Sequence, residues 1–129
     1  MAHARANIGT TNYAVSITAG RHQLSADEGT QRGGKDIGPA PYDLLCSALG
    51  ACTAITLRMY AERKQWPLRA LYVDVRFRLE GKKGAIVRVL SFEGELDDEQ
   101  RARLADIAER TPVTLTLKQG LPITTTLGA

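Results

Sequence analysis

The two cysteines, Cys46 and Cys52, are the side chains of this sequence best suited to covalent chemistry. Both lie in an apolar segment typical of one long helix, where they are separated by ~9 Å along the axis and point in different directions. A disulfide requires Cα atoms within about 7 Å of each other. An intact helix therefore keeps the two thiols apart, and each is either a packing group or an independent nucleophile.

The surroundings of Cys52 favour the nucleophile. Gly50, Ala51 and Thr53 are small neighbours that would leave space for a substrate, whereas the leucines around Cys46 indicate ordinary packing. A reactive thiolate needs a nearby cation, and a position in the middle of a helix supplies none from the helix dipole. Arg21 and His22, on a predicted hairpin, are the candidates for that cation; exposed strand residues would be their ordinary role.

Several function classes are excluded by composition. His3 and His22 are the only histidines, so with two cysteines we predict no metal site and no cofactor. Lys+Arg 17 against Asp+Glu 14 gives a net charge of +3, and the charges alternate in sign, so we predict no nucleic-acid partner. Gly29, Gly34 and Lys35 resemble the start of a phosphate-binding loop, but Asp36 follows where that motif requires Ser or Thr.

A long central helix is predicted for Tyr42 to Lys64. Its apolar residues cover nearly the whole circumference, which is typical of a buried helix, and Pro67 ends it. At ~1.5 Å per residue the helix is about 34 Å long, roughly the diameter of a domain of this size. A single small subunit would hardly cover it, so we expect a partner subunit.

The remaining pattern predicts an α+β protein. Alternation and turn residues indicate hairpins on both sides of the helix, and the capping pattern at Asp97 and Gln100 starts a later helix. Thr111-Pro112 starts a further short helix. The predicted elements begin with a strand that starts at Tyr13, a second strand from Arg21 to Ala26 and the long helix. They continue with strands Val73–Glu80 and Ala85–Leu96, a helix from Asp97, a short helix to Lys118 and a terminal strand Pro122–Leu127. The order is β-β-α(long)-β-β-α-α-β.

A chain of 129 residues is the size of one domain, so we predict a single domain over residues 1–129 with residues 1–10 flexible. Those first residues carry no apolar segment, which predicts no secretory signal and a cytoplasmic protein. The longest weakly polar stretch, Leu44 to Leu57, is shorter than the about 20 residues of a membrane-spanning helix. We therefore expect no membrane association.

Two longer motifs resemble the OsmC/Ohr family, in particular its OsmC-like branch. They are DIGPAPYDLL at residues 36–45 and SALGACTAITLRMYAERK at residues 47–64; the segment 73–80 and the ending from Pro112-Val113 to Gly120-Leu-Pro-Ile fit as well. The similarity covers about residues 33–127. It implies an OsmC-like fold, an intertwined homodimer with two long central helices, and active sites at the subunit interface.

The resemblance also implies roles for individual residues. Family members of the peroxidase type reduce organic hydroperoxides with two cysteines, and Cys52 matches the peroxidatic one. Arg21 matches the arginine that stabilises the thiolate. We predict that Tyr42, Asp43, Leu49 and Thr111 line the substrate pocket.

Two departures from the family pattern change the expected reaction. The resolving cysteine of the family precedes a proline, and here Thr111 stands before Pro112. In the Ohr type a glutamate follows the proline at the start of the helix, where this chain has Tyr42, with Asp43 one position further on. These differences predict a one-cysteine peroxidase of the oxidative stress response that depends on an external thiol reductant, or on Cys46 if the helix distorts. The alternative is a dimeric ligand-binding or redox-sensing protein without turnover.

Overall fold

The computed structural model describes residues 1–128. The chain divides into two compact units, Met1–Cys46 and Ser47–Ala129. The predicted single domain is not tested by this division and stays a prediction. The predicted α+β class is confirmed, because three helices of two turns or more accompany two antiparallel sheets.

The first unit contains a three-stranded antiparallel sheet in the order β1-β2-β3. The strands are β1 (Ala4–Asn7), β2 (Val15–Ala19) and β3 (His22–Ala26). Ala19 pairs with His22, so Gly20 and Arg21 form the hairpin turn, and Gly20 adopts a φ of 60° that glycine allows at little cost. The predicted hairpin is present, and β1 is an additional strand within the segment expected to be flexible.

The long loop after β3 is organised by Asp27, whose residue surface is only 2% exposed. Its carboxylate accepts backbone N–H bonds from Tyr13 (3.2 Å), Glu28 (2.7 Å), Lys35 (3.2 Å) and Ile37 (3.3 Å). Burial alone would raise the pKa of this carboxyl, but the backbone donors together lower it. The loop includes a short 3-10 helix at Thr30–Arg32. Its backbone is therefore bonded to the ionised side chain of Asp27.

The long helix α1 (Pro41–Lys64) has the predicted extent, with Pro41 as an added first residue. It ends where Gln65 adopts a left-handed φ of 57° and Trp66 N–H donates to the carbonyl of Ala61 at 2.9 Å. One face is buried along the helix, at Leu49, Thr53, Leu57 and Ala61. Large apolar side chains elsewhere on the helix, Ile55 (55%) and Met59 (63%), are exposed.

Strands β4 (Leu68–Glu80) and β5 (Lys83–Gly94) form a long antiparallel hairpin. Gly81 and Lys82 form its turn, with Gly81 at a φ of 65°. Both strands alternate between half-buried and exposed residues along most of their length. On β5 the half-buried positions are Ile86, Arg88, Leu90, Phe92 and Gly94, so an arginine lies on the inner, otherwise apolar face.

Two further helices complete the second unit. Helix α2 (Asp98–Ala108) begins with the predicted capping box, in which Asp97 and Gln100 each accept from the other's backbone N–H. Helix α3 (Pro112–Gln119) has Thr111 at its N-cap position, proline in its first turn and Gly120 after its end. The core of this unit consists of Leu57, Ala61, Leu68, Leu96, Leu104 and Ala108.

The predicted terminal strand Pro122–Leu127 is wrong for the isolated chain. Residues 120–128 form no strand, and Leu121 (68%), Ile123 (87%) and Leu127 (99%) are exposed. A strand requires a neighbour that satisfies its backbone N–H and C=O groups. Within residues 1–128 no strand pairs with this segment, so its alternating apolar pattern has nothing to pack against.

By length and composition alone, α1 could cross a membrane. The apolar segment is thus longer than the stretch from Leu44 to Leu57 that was identified from the sequence. The central helix of a folded protein passes the same test, and α1 carries part of the core described above, at Leu57 and Ala61.

Candidate functional site

Cys46 and Cys52 are both free thiols on α1, and both are half-buried. Ala51, next to Cys52, is exposed. Gly50 instead faces the sheet, where an added Cβ would lie 3.6 Å from Cγ2 of Val75. The two small residues before Cys52 therefore lie in different surroundings. Gly50 faces β4 at a distance where a methyl group would make ordinary van der Waals contact, and Ala51 lies at the surface beside the thiol.

The residue after Cys52, Thr53, is fully buried and belongs to a polar network inside the second unit. Its hydroxyl donates to the carbonyl of Leu49 one helical turn earlier, at 2.7 Å. The same oxygen accepts from Nη1 of Arg88 on β5 at 2.9 Å. The helix that carries Cys52 is thus fixed to the inner face of the sheet one residue away from the thiol.

Arg88 also reaches the corner between α2 and α3. Its Nη1 donates to Oγ1 of Thr114 at 2.9 Å, and its Nη2 donates to the carbonyl of Ala108 at 2.8 Å and to Oε2 of Glu109 at 3.2 Å. The arginine side chain is only 11% exposed. A planar guanidinium with five donors can join three elements in this way, which a lysine ammonium cannot do with the same geometry.

Glu109 supplies the negative charge that balances Arg88. Lys118 donates to its Oε1 at 2.9 Å, and this contact is the main cause that lowers the pKa of Glu109; burial opposes the shift, and Arg88 adds to it. Glu109 therefore stays ionised at neutral pH. The chain of charges Arg88, Glu109 and Lys118 extends from the buried network to the surface.

Thr111, which the resemblance places at the position of the family's resolving cysteine, is fully buried. Although it occupies the N-cap position of α3, its side chain makes no capping bond to the backbone. Its Oγ1 lies 2.6 Å from Oγ1 of Thr114, whose hydroxyl donates to the carbonyl of Ala108 at 3.2 Å. Because Thr114 uses its proton there, Thr111 is the donor to Thr114. Thr111 thus stands at the predicted start of α3 while its hydroxyl bonds to another side chain.

A cavity of about 530 Å³ lies beside this network in the second unit. Leu49, predicted as a pocket residue, is buried and contributes to its wall. Cys52 and Thr111 lie outside the lining. The remaining lining residues are Phe77, Gly84, Ala85, Ile86, Arg88, Glu109, Thr114, Leu117 and Lys118.

The other predicted site residues belong to the first unit. Arg21 is exposed at the hairpin turn. Tyr42 is 55% exposed in the first turn of α1, and Oδ2 of Asp43 accepts from the N–H of Ala40 at 3.1 Å. Asp43 thus supports the start of the helix, and the roles of these residues toward Cys52 stay predictions.

Sequence reasoning missed Arg88 and Thr114, and it treated Thr53 only as a small neighbour of the thiol, whereas Thr53 is fully buried and bonded to Arg88. The sequence did contain a signal for Arg88, because this residue takes one of the alternate strand positions that are otherwise apolar, between Ile86 and Leu90. A charged side chain at such a position needs buried partners. Two of those partners are threonines distant in sequence, and neither stands out by its type or spacing.

No group of three or more His, Cys, Asp or Glu side chains that could hold a metal ion occurs in residues 1–128. The predicted absence of a metal stays a prediction.

The fold is that of a known class of proteins. The family of OsmC-like proteins matches residues 33–126, and the chain belongs to this family. No curated protein matches it closely in sequence.

Solved structures share the fold at low sequence identity. An OsmC-like protein from Mycoplasma pneumoniae has a TM-score of 0.79 and 17% identity, with 92% of this chain and 87% of that chain covered. An organic hydroperoxide resistance protein OsmC from Legionella pneumophila has a TM-score of 0.70 and 20% identity, with coverages of 92% and 89%. An organic hydroperoxide resistance protein from Elizabethkingia anophelis has a TM-score of 0.65 and 15% identity, with coverages of 84% and 81%.

Proposed function

We propose that this OsmC-like protein reduces organic hydroperoxides through a single peroxidatic cysteine, Cys52. The observation that carries the proposal is a free, half-buried thiol on the central helix, inside the segment that matches the family. Two of the solved structures with this fold are named organic hydroperoxide resistance proteins. The exposed Ala51 beside the thiol supports access for a small molecule.

In the proposed reaction, the thiolate of Cys52 attacks the distal oxygen of the hydroperoxide. An S–O bond forms, the O–O bond breaks, and the leaving alkoxide takes a proton to become an alcohol. Cys52 is left as a sulfenic acid. Arg21 is the residue we assign to stabilising the thiolate and the developing negative charge.

An external thiol must complete the cycle, because Thr111 cannot form a disulfide. One reductant thiol condenses with the sulfenic acid to give a mixed disulfide and water. A second thiol displaces Cys52 from that disulfide and restores the free thiol. The cytoplasm is the proposed compartment, since thiols are kept reduced there.

A homodimer is part of the proposal. Ile55 and Met59 are one turn apart on α1 and more than half exposed, and the extended segment 120–128 exposes three large apolar side chains. Large apolar residues grouped in this way favour a protein–protein contact. A second copy would cover the helix and could give the terminal segment a strand to pair with.

The second candidate function is a dimeric ligand-binding or redox-sensing protein without turnover. The burial of Thr111 and its bond to Thr114 favour it, because the position that would resolve a sulfenic acid is here part of a packed polar network. In such a protein Cys52 would react once, or not at all.

The test is intact-mass spectrometry with a sulfenic-acid trap after one equivalent of cumene hydroperoxide. We expect one fast adduct in the wild-type chain, because only Cys52 has the family's position for attack. The adduct should persist in Cys46→Ser and disappear in Cys52→Ser.

Cys46→Ser is the matched control, since both cysteines are half-buried on the same helix. Equal slow labelling of the two thiols, or no adduct, would contradict the peroxidase proposal and favour the binding protein. Adduct formation without turnover in excess dithiothreitol would favour the sensor.

A further inference from the structure

We propose that Arg88 is a positioning residue for Cys52, acting through Thr53. This inference rests on the proposed role of Cys52 as the reacting thiol. Arg88 holds Thr53 Oγ1 at 2.9 Å and is itself held by Thr114 and the carbonyl of Ala108 at 2.9 and 2.8 Å. The network thereby fixes the turn of α1 from which the thiol projects.

The coupling from Thr53 to Cys52 follows from helix geometry. Consecutive residues differ by about 100° of rotation and ~1.5 Å of rise, so an anchor at Thr53 sets the direction of the Cα–Cβ bond of Cys52. The Thr53 hydroxyl also donates to Leu49 at 2.7 Å, a local bond that tends to bend a helix. Arg88 fixes that turn from the sheet side, and no other side chain donates to Thr53 among residues 1–128.

The chemistry of Arg88 is unusual for a simple packing anchor. Its side chain is 11% exposed, yet its carboxylate partner Glu109 is 58% exposed and is shared with Lys118. Burial of the guanidinium carries a desolvation cost that its hydrogen-bond partners must offset. The guanidinium does, however, impose a fixed geometry on the groups it joins, as the positioning of a reactive thiol requires.

The network also reaches position 111, since Thr114 accepts from both Arg88 and Thr111. Arg88 therefore connects the turn that bears Cys52 with the corner at which related peroxidases carry their second cysteine. One arginine orients both regions in this chain, although only one of them retains a thiol.

The test compares Arg88→Met and Thr53→Val with Thr53→Ser, which keeps the hydroxyl. Arg76→Met is the control, because Arg76 lies on the outer face of the same hairpin with its side chain 81% exposed. Two rates are measured in folded protein: trapping of the sulfenic acid after cumene hydroperoxide, and alkylation of Cys52 by iodoacetamide relative to Cys46 in the same chain.

We expect Arg88→Met and Thr53→Val to slow sulfenic-acid formation about tenfold and to change the Cys52-to-Cys46 alkylation ratio at least about threefold, because small misplacements of a reacting group reduce rates strongly. Thr53→Ser should restore both quantities to within about threefold of wild type. Arg76→Met should match wild type.

A purely structural role would lower the melting temperature without changing either rate in the folded protein, and that result would overturn the inference. If Arg88→Met does not fold, the Thr53→Val and Thr53→Ser pair decides. If wild-type Cys52 forms no sulfenic acid, that result contradicts the proposed function but does not decide the positioning role of Arg88. The alkylation ratio then still supports the positioning role if it changes and overturns it if it does not.

Discussion

Thr111 stands where the resemblance implies a resolving cysteine, and this difference changes the chemistry expected there. Its side chain is fully buried and donates to Thr114 instead of capping α3. A cysteine there would have a thiol, which is a weaker hydrogen-bond donor than a hydroxyl. The residue present thus favours a closed polar network over the formation of a disulfide.

The substitution Thr111→Cys tests this reading directly. We expect peroxide to convert the variant into an intramolecular disulfide between position 111 and Cys52, since the resemblance to two-cysteine peroxidases pairs these positions. The chain should lose two hydrogens by intact mass and no longer give a trapped sulfenic acid. Turnover with a dithiol reductant should rise at least about tenfold, because intramolecular attack by a nearby thiol has a high effective concentration.

Combining Thr111→Cys with Cys52→Ser is the control, and it should give no disulfide. A sulfenic acid that persists in Thr111→Cys would contradict the expected pairing of the two positions. The buried hydroxyl contact to Thr114 is lost in both variants, so its effect on stability is shared between them.

At the scale of secondary-structure elements, the loop after β3 is tied together by the side chain of Asp27, besides its own backbone hydrogen bonds. Asp27 has a backbone partner before β2, a second directly after itself and two at the far side of the loop. These donors favour the charged carboxylate, and the pKa of Asp27 is lowered from its ordinary 3.8 even though burial acts in the opposite direction. The order of the loop is thereby linked to the ionisation of one group.

Asp27→Asn should lower the melting temperature by several degrees near neutral pH. The amide accepts through one oxygen only, so at least one of the four backbone N–H groups loses its partner. A carboxyl with a lowered folded-state pKa stabilises the protein above its unfolded-state pKa and loses that contribution as the pH falls through the folded-state value. The difference from wild type should therefore shrink below about pH 4.

The measurement is the melting temperature of both proteins by circular dichroism across this pH range. Asp74→Asn is the matched control, because Asp74 pairs with Arg76 on an exposed face, with its side chain 58% exposed, where such pairs contribute little. An Asp27→Asn difference that is constant with pH would contradict the assigned role of the charge.

At the scale of the whole molecule, the exposed apolar residues of α1 are the feature most in need of a partner. Ile55 and Met59 are exposed apolar side chains one turn apart on α1, whereas the last turn of this helix carries charged residues. Each large apolar side chain that becomes buried contributes about 1.5–3 kcal/mol. A contact between two copies would bury the pair twice.

We expect the protein to be a dimer at micromolar concentration by light scattering. Ile55→Lys combined with Met59→Lys should shift it toward a monomer, because burying two ammonium groups in an apolar contact is unfavourable. Val89→Lys is the control: Val89 is 54% exposed, close to the 55% of Ile55, but lies on the outer face of β5. A wild-type monomer at this concentration, or equal dissociation by the control, would count against the homodimer.

Local sequence determined most of the secondary structure. The capping box at Asp97, the glycine after α3 and the two-residue turns at Gly20 and Gly81 act over a few residues, so their effect is readable without the fold. The same holds for the long apolar helix and for Cys52, whose thiol is recognisable by its type and neighbours. The α+β class follows from these features, and the motifs at residues 36–45 and 47–64 carry the resemblance to the family.

Tertiary structure alone decided which polar groups meet. Arg88 and Thr53 are separated by 35 positions in the sequence, and Arg88 and Thr114 by 26, so their contacts arise only when β5 lies between α1 and α3. Three of the four donors to Asp27, which are 8 to 14 positions away, and the unpaired terminal segment could not be predicted for the same reason. Hydrogen bonds between distant residues and the pairing of strands depend on neighbours in space, whereas caps, turns and helical periodicity depend on neighbours along the chain.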